Sequence, residues 1–397
     1  MANQFKYIII GGGLAGASAV EGIRKRDTSG TIALIGKEDR LPYDRPPLSK
    51  GLWLGKTTLA EIPIHDEAFY KSHGVHLFLN TEIVDIDRGK NQVIDRNRTH
   101  YSYEKLLLAS GGAPRILSFG QGAVQYYRTV DDYQLLKETA EHSETFLLLG
   151  GGFIAGELAS ALTVNGKKVT IVFPDQFLLQ KIFPTTLAAY VTDYYRAKGI
   201  EVISGDVAVD AERTGGQVRV RTKSGRRATA DHAVAAIGLN LHIEMAKRAG
   251  LKIENGVAVN SFLQSSDPTV YAAGDIAYYP SKSLDKSIRL EHWNNAQALG
   301  RHAGENMAGT NKPFEYLPYF WSDLFDLGFE AVGELDSRFQ TIQDWKEEFR
   351  EGVVYYLDGG KVKGILLWNV WEKVDDARRL IEQKKTYRRP GDLKNRL

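Results

Sequence analysis

Two glycine turns constrain this chain more than any other feature: Gly11-Gly12-Gly13-Leu14-Ala15-Gly16 and Gly150-Gly151-Gly152-Phe153-Ile154-Ala155. Each follows an apolar run, Tyr7–Ile10 or Thr145–Leu149, and opens a helical pattern. Each therefore presents backbone N–H groups and a positive helix end to a pyrophosphate. One such turn implies a nucleotide. Two imply two dinucleotides held face to face, the arrangement a flavin reduced by a nicotinamide requires.

The repeat sets the domain plan. The first unit reads strand (Tyr7–Ile10), turn, helix (Leu14–Arg26), strand (Thr31–Ile35). The second reads strand (Thr145–Leu149), turn, helix to about Val164, strand (Lys168–Phe173). Both patterns open a doubly wound sheet. Gln217–Lys223 and Arg227–Thr229, joined through Ser224-Gly225, read as a hairpin. Val270-Tyr271-Ala272-Ala273-Gly274-Asp275 returns to the first domain, so the second is read as inserted into it. The predicted fold class is α/β, with two Rossmann-like nucleotide-binding domains and a C-terminal α+β domain in a glutathione-reductase-like arrangement. The expected boundaries are 1–113 with 242–314 for the FAD domain, 114–241 for the NAD(H) domain and 315–397 for the last. In that last part Tyr319-Phe320-Trp321 reads as an aromatic turn, followed by strands near Ala331, Val353–Leu357 and Val362–Trp368. A helix from Lys373 to Gln383 follows, and the basic tail from Lys384 reads as a solvated, frayed end.

Composition removes whole classes of chemistry. The chain has no cysteine, which excludes disulfides, thiolate metal sites, iron–sulfur ligation and thiol exchange. No metal site is expected. With 51 Lys plus Arg against 49 Asp plus Glu, the net charge of +2 gives no case for nucleic acid. The apolar runs are far shorter than the ~20 residues that span a bilayer, and no signal or transit pattern opens the chain. No membrane association and a cytoplasmic location are the expectations.

In the first turn Gly11 allows the tight bend, Gly13 the close approach of pyrophosphate, and Gly16 close packing of helix on strand. Gly36 stands in the usual acidic slot at the end of the second strand, so Glu38 is the candidate ribose ligand. In the second turn Gly150 and Gly152 play the corresponding parts and Ala155 replaces the third glycine. Phe173 fills the acidic slot and Asp175 follows two residues later, which favours NADH over NADPH. Lys167 and Lys181 keep NADPH open.

Further along, Leu41-Pro42-Tyr43-Asp44-Arg45-Pro46-Pro47-Leu48-Ser49-Lys50 resembles the flavin-facing segment of the ferredoxin reductases that serve Rieske dioxygenases and cytochromes P450. The same segment occurs in apoptosis-inducing factor. Ala109-Ser110-Gly111-Gly112-Ala113-Pro114-Arg115, Ala273-Gly274-Asp275, Arg289-Leu290-Glu291-His292-Trp293 and Phe320-Trp321-Ser322-Asp323-Leu324 extend the resemblance over nearly the whole chain. Glu291-His292 and the ending Gly352–Asn369 lean towards apoptosis-inducing factor; Phe325-Asp326-Leu327 leans towards the ferredoxin reductases.

The resemblance implies FAD as resident cofactor, with Leu14, Ala15, Arg45, Ala109, Ser110, Gly111, Arg115, Gly274, Asp275, Glu291, His292 and Trp293 around it. Ile154, Asp175 and Gly238 join the second glycine turn in binding NADH. A cation beside the reacting edge of the flavin tunes its potential, and Lys50 is the candidate, with Glu157 able to pair with it. Phe153 is placed to gate the nicotinamide, and Trp321 to border the flavin. Without thiols, electrons leave the flavin for an outside acceptor. The first reading is an FAD-dependent NADH oxidoreductase serving a [2Fe–2S] ferredoxin, docked through surface cations such as those of the tail. The second is a redox-switched protein resembling apoptosis-inducing factor, in which NADH yields a charge-transfer complex and a homodimer. A quinone or oxygen diaphorase shares every motif.

Overall fold

The protein is described from a computed structural model covering residues 3–397, which divides into two compact units. The first comprises Met1–Asp44, Leu59–Ala113 and Leu241–Tyr319 by sequence; the second comprises Arg45–Thr58, Pro114–Asn240 and Phe320–Leu397.

In the first unit a parallel sheet runs Val75–Phe78, Ile32–Ile35, Gln4–Ile10, His100–Leu108 and Val270–Ala272 in spatial order. Residues Ile8, Ile9, Ala33, Leu34, Leu106 and Leu107 are fully buried, as expected of parallel strands covered on both faces. The amino-terminal half of His100–Leu108 also pairs antiparallel with Gln92–Asp95, and Ile83–Asp87 extends that edge. The helix Leu14–Arg24 packs along Trp293–Met307 through glycines. A Cβ on Gly22, Gly300 or Gly304 would come within about 2.2 Å of the partner helix's carbonyl oxygens. Backbone thus meets backbone across this pair, and the first glycine turn is held on a rigid two-helix base.

The second unit holds a second parallel sheet, Glu201–Ser204, Lys168–Phe173, Thr145–Leu149, His232–Ala235 and Val124–Tyr126. Beside it lies the three-stranded antiparallel layer Ala208–Thr214, Gln217–Thr222 and Arg227–Ala230, whose last two strands are the expected hairpin. A five-stranded sheet follows in the order Tyr319–Leu324, Leu327–Gly333, Lys361–Trp368, Glu351–Asp358, Gln340–Glu347, and the helix Val374–Glu382 packs on it. The α/β class and both nucleotide-type sheets are those read from the sequence.

Two local readings are corrected. Tyr319-Phe320-Trp321 begins a strand, Tyr319–Leu324, in which alternate residues Phe320, Ser322 and Leu324 are buried. The aromatic side chains fit a pleated, half-buried surface and do not mark a turn. The tail is not frayed. Tyr387 N donates to Gly360 O at 2.8 Å, Asn395 N donates to the Asp344 carboxylate at 2.7 Å, and Leu393 is fully buried. The charges of Lys385, Arg388, Arg389, Lys394 and Arg396 stay in solvent while one leucine anchors the segment. Leu393→Ala should therefore lower unfolding stability by about 2–5 kcal/mol in a denaturant titration, whereas Lys394→Ala should change it by less than about 0.5 kcal/mol.

Candidate functional site

In the first unit Gly11 has φ +128° and donates its N–H to Ile35 O at 2.9 Å. A Cβ there would lie 2.1 Å from Ala109 O, and one on Gly16 would lie 2.1 Å from Gly11 O. Only glycine satisfies either position. Gly13 has open space where its Cβ would be, and it caps Leu14–Arg24 with no side-chain bond and no acid in the first turn. The helix end is thus left with free N–H groups and uncancelled positive potential, as a pyrophosphate needs. Gly274 (φ +74°) brings Ala273-Gly274-Asp275 against this turn, since its Cβ would be 3.1 Å from that of Ala15.

The displaced acid has a packing cause. Gly36 and Gly12 lie against each other, with a Cβ on either meeting the other's Cα at 3.3 Å. A side chain in the usual slot would press on the Gly12 backbone, and the nearest carboxylate beyond it is that of Glu38, which accepts from the buried Tyr43 hydroxyl at 2.6 Å. Ser110 Oγ donates to His242 O at 3.0 Å, and Gly111 O accepts from His242 N at 2.9 Å. Ala109 N donates to Ile10 O at 2.8 Å, fixing this loop to the central strand. Glu291 pairs with Arg289 at 2.6 Å, and Arg289 also donates to Asp275 O at 3.3 Å. Burial pushes the His292 imidazole down to about 4, opposed by the Asp275 carboxylate, so the ring is neutral at physiological pH. Trp293 Nε1 donates to Asp44 at 2.6 Å; burial raises that carboxyl and the indole bond works against the rise.

In the second unit Gly150 (φ +134°) donates to Val172 O at 2.9 Å, and a Cβ on it would lie 2.3 Å from Ala236 O. Gly152 caps Phe153–Val164, again with no side-chain bond and no acid in the first turn. Here the third slot tolerates Ala155, which is fully buried. Phe173, 1% exposed, fills the acidic slot directly beneath Gly151, whose Cβ would meet the ring at 2.8 Å. Asp175 is part-exposed and its carbonyl accepts from Gly205 N at 2.9 Å. Arg115 lies along Gly238, donating to Leu239 O at 3.2 Å and, from its backbone, to Gly238 O at 2.9 Å. Arg45 donates to Arg128 O at 2.7 Å. Ile154 is 40% exposed beside Phe153, which meets Phe320 at 5.7 Å and Phe329 at 6.2 Å between ring centroids.

Residues Arg45–Thr58 pack with this second unit although they interrupt the first in sequence. Leu48, Leu52 and Trp53 are buried, and Leu48 O accepts from Tyr127 at 2.5 Å and from Trp53 Nε1 at 2.9 Å. The segment thereby brings Lys50 to Glu157, Nζ to Oε1 at 3.2 Å. Glu157 stands in the second turn of Phe153–Val164, so helix-end stabilisation is not its role. Its carboxylate accepts from Ser49 Oγ and from Ser322 Oγ, each at 2.6 Å, and its side chain is 6% exposed. Lys50 also meets Asp323 at 3.3 Å and lies 5.7 Å from the Trp321 ring centroid. Of the residues proposed from sequence, Lys50, Glu157 and Trp321 thus form one cluster, while Phe153 belongs to the adjoining aromatic group. Ser49 and Ser322 are pointed to by a buried carboxylate's need for donors, whereas Asp323, which meets only the Lys50 ammonium, carries no such signal in the sequence.

The residues fit both implied groups: two open, uncapped glycine cradles that a Cβ would fill, each over a parallel sheet. Comparison with known proteins agrees. A family model described as pyridine nucleotide-disulphide oxidoreductase matches residues 5–300, and one described as apoptosis-inducing factor, mitochondrion-associated, C-term matches 303–346 and 343–383. The chain is 34% identical to apoptosis-inducing factor 1, mitochondrial, of Dictyostelium discoideum, over 97% of this chain and 79% of that one. It is 33% identical to monodehydroascorbate reductase of Pisum sativum, over 92% and 91%. The solved covalent putidaredoxin reductase–putidaredoxin complex superposes with a TM-score of 0.91 at 29% identity, covering 97% of this chain and 94% of that one. The chain belongs to the pyridine nucleotide-disulphide oxidoreductase family, as an FAD-dependent NAD(P)H oxidoreductase of the ferredoxin reductase and apoptosis-inducing factor type that contains no cysteine.

Proposed function

We propose that this protein takes electrons from NADH through FAD to a one-electron acceptor protein, a [2Fe–2S] ferredoxin. The observation that carries the reading is the pair of uncapped glycine cradles in a chain without cysteine. Bound FAD supplies the conversion from two-electron delivery by NADH to single-electron delivery onward.

The protein's part is binding, orientation and charge. Gly11, Gly13 and Gly16 hold the FAD pyrophosphate at the Leu14 helix end, with Glu38 on the ribose and Asp275 on the ribityl chain. Ala109, Ser110, Gly111, Gly274, Glu291, His292, Trp293 and Arg45 complete that seat in a domain of residues 1–113 and 242–314, with Arg115 joining from just past that boundary. Gly150, Gly152, Ile154, Asp175 and Gly238 form the NADH seat within 114–241, and the lack of an Arg directly after Asp175 supports NADH over NADPH. Lys50 is the cation that tunes the flavin, Glu157 orients it, Phe153 gates the nicotinamide and Trp321 borders the ring. The exposed cations of the anchored tail offer an acidic ferredoxin a fixed docking face.

The match to the apoptosis-inducing factor model and the Dictyostelium relative support a second reading, a redox-switched protein whose reduced form persists and dimerises. Anaerobic reduction with NADH followed by mixing with ferredoxin or air separates the two. Rapid reoxidation by ferredoxin is the expected outcome; a persistent long-wavelength band with a dimer on sedimentation would favour the switch. Rapid reoxidation by quinone or oxygen alone would favour a diaphorase.

Two outcomes test the assignments. Gly11→Ala should yield protein lacking the flavin absorbance, whereas Gly150→Ala should keep its FAD and lose NADH-driven reduction on the order of a hundredfold in stopped flow. Charge reversal at Arg388, Arg389 and Lys394 leaves Leu393 in place, so it should slow ferredoxin reduction at low salt but not at high salt. NADH reduction of the flavin should be unaffected.

A further inference from the structure

Lys50 has two carboxylates where one would neutralise it. Glu157 is fixed: hydroxyls of Ser49 and Ser322 hold both its oxygens at 2.6 Å, and it is 6% exposed. Asp323 is 56% exposed and reaches the same ammonium at 3.3 Å. The alternation of Tyr319–Leu324 explains the split, since Ser322 points into the buried side while Trp321 and Asp323 share the more exposed one. Lys50 therefore bridges the two faces, its stem 15% exposed and its charge near the Trp321 ring.

We infer that Asp323 is a positioning residue for Lys50, a second and salt-sensitive anchor that sets where the ammonium stands relative to Glu157 and Trp321. Exposed ion pairs usually contribute little, because two long side chains must be ordered in water. Here the lysine is already ordered by Glu157, and Asp323 adds only its own short side chain to the cost. The buried anchor is insulated from ions, whereas the exposed one is screened. Ionic strength should thus move Lys50 between a two-anchor and a one-anchor state.

This inference rests on the proposed role of Lys50 only for its effect on the flavin, and the test separates the two. Acylation of Lys50 by an activated ester on the holoenzyme, followed by mass spectrometry, reads the lysine directly. Asp323→Asn should accelerate labelling about two- to fivefold at low salt, and Asp323→Glu should restore the slow rate. High salt should bring the unaltered protein towards the Asp323→Asn rate. An Asp323→Asn rate equal to the unaltered one, or no rescue by Asp323→Glu, would overturn the inference. The reduction potential of bound FAD should become more positive in Asp323→Asn, where a negative charge beside Lys50 is lost. Faster labelling with an unmoved potential keeps Asp323 as the anchor and removes the flavin-tuning role of Lys50.

Discussion

A carboxylate out of reach of water has to be met by donors, and in this protein that demand falls on Glu157. With its partners it draws on three distant stretches of chain: Ser49 and Lys50 at the end of the short 3-10 helix Pro46–Ser49, Glu157 itself in a helix, and Ser322 in a strand of the last sheet. Satisfying one buried charge therefore joins all three. It adds to the burial of Leu48, Leu52 and Trp53 in tying Arg45–Thr58 to the second unit. It also places Trp321 and Asp323 beside Lys50, because the strand's alternation leaves them opposite Ser322. Losing one member of a buried pair costs about 3–5 kcal/mol when both are fully enclosed. The cost is smaller here, since Lys50 keeps 15% exposure, but it still exceeds the ~0–1 kcal/mol of a typical surface pair.

The two nucleotide cradles obey one rule with different details. Gly11 and Gly150 both have positive φ, and at each a carbonyl also lies where a side chain would go. Both helices begin without a side-chain cap or an early acid, so their positive ends are reserved for an anionic ligand. The acidic slot is closed in each by a different neighbour, Gly12 against Gly36 and Gly151 against Phe173. The candidate ribose ligands Glu38 and Asp175 each stand two residues beyond these slots.

The periodic and glycine-marked parts of this fold were legible in the sequence. Tyr7–Ile10 and Phe146–Leu149 appear as strands because fully buried parallel strands are continuously apolar, and Lys168–Phe173 because Val169, Ile171, Val172 and Phe173 dominate it. Gln340–Glu347 was not read as a strand, since it lies at a sheet edge and carries Gln, Asp, Lys and Glu on a backbone that only its partner reveals. The tail misled for a related reason: six cations hid a single anchoring leucine at 393. At the site, Lys50 and Glu157 were legible through resemblance. Ser49, Ser322 and Asp323 were not, because a small hydroxyl gains meaning only from the buried charge it satisfies, and a surface acid only from the lysine the fold brings to it.

If Lys50 and Glu157 act as one unit, their losses cannot be independent. The direct measurement is the anaerobic rate of flavin reduction by NADH in Lys50→Met, Glu157→Gln and the double variant. The account predicts that the double variant is about as slow as the slower single one. A double variant slowed by the product of the two single effects would contradict it.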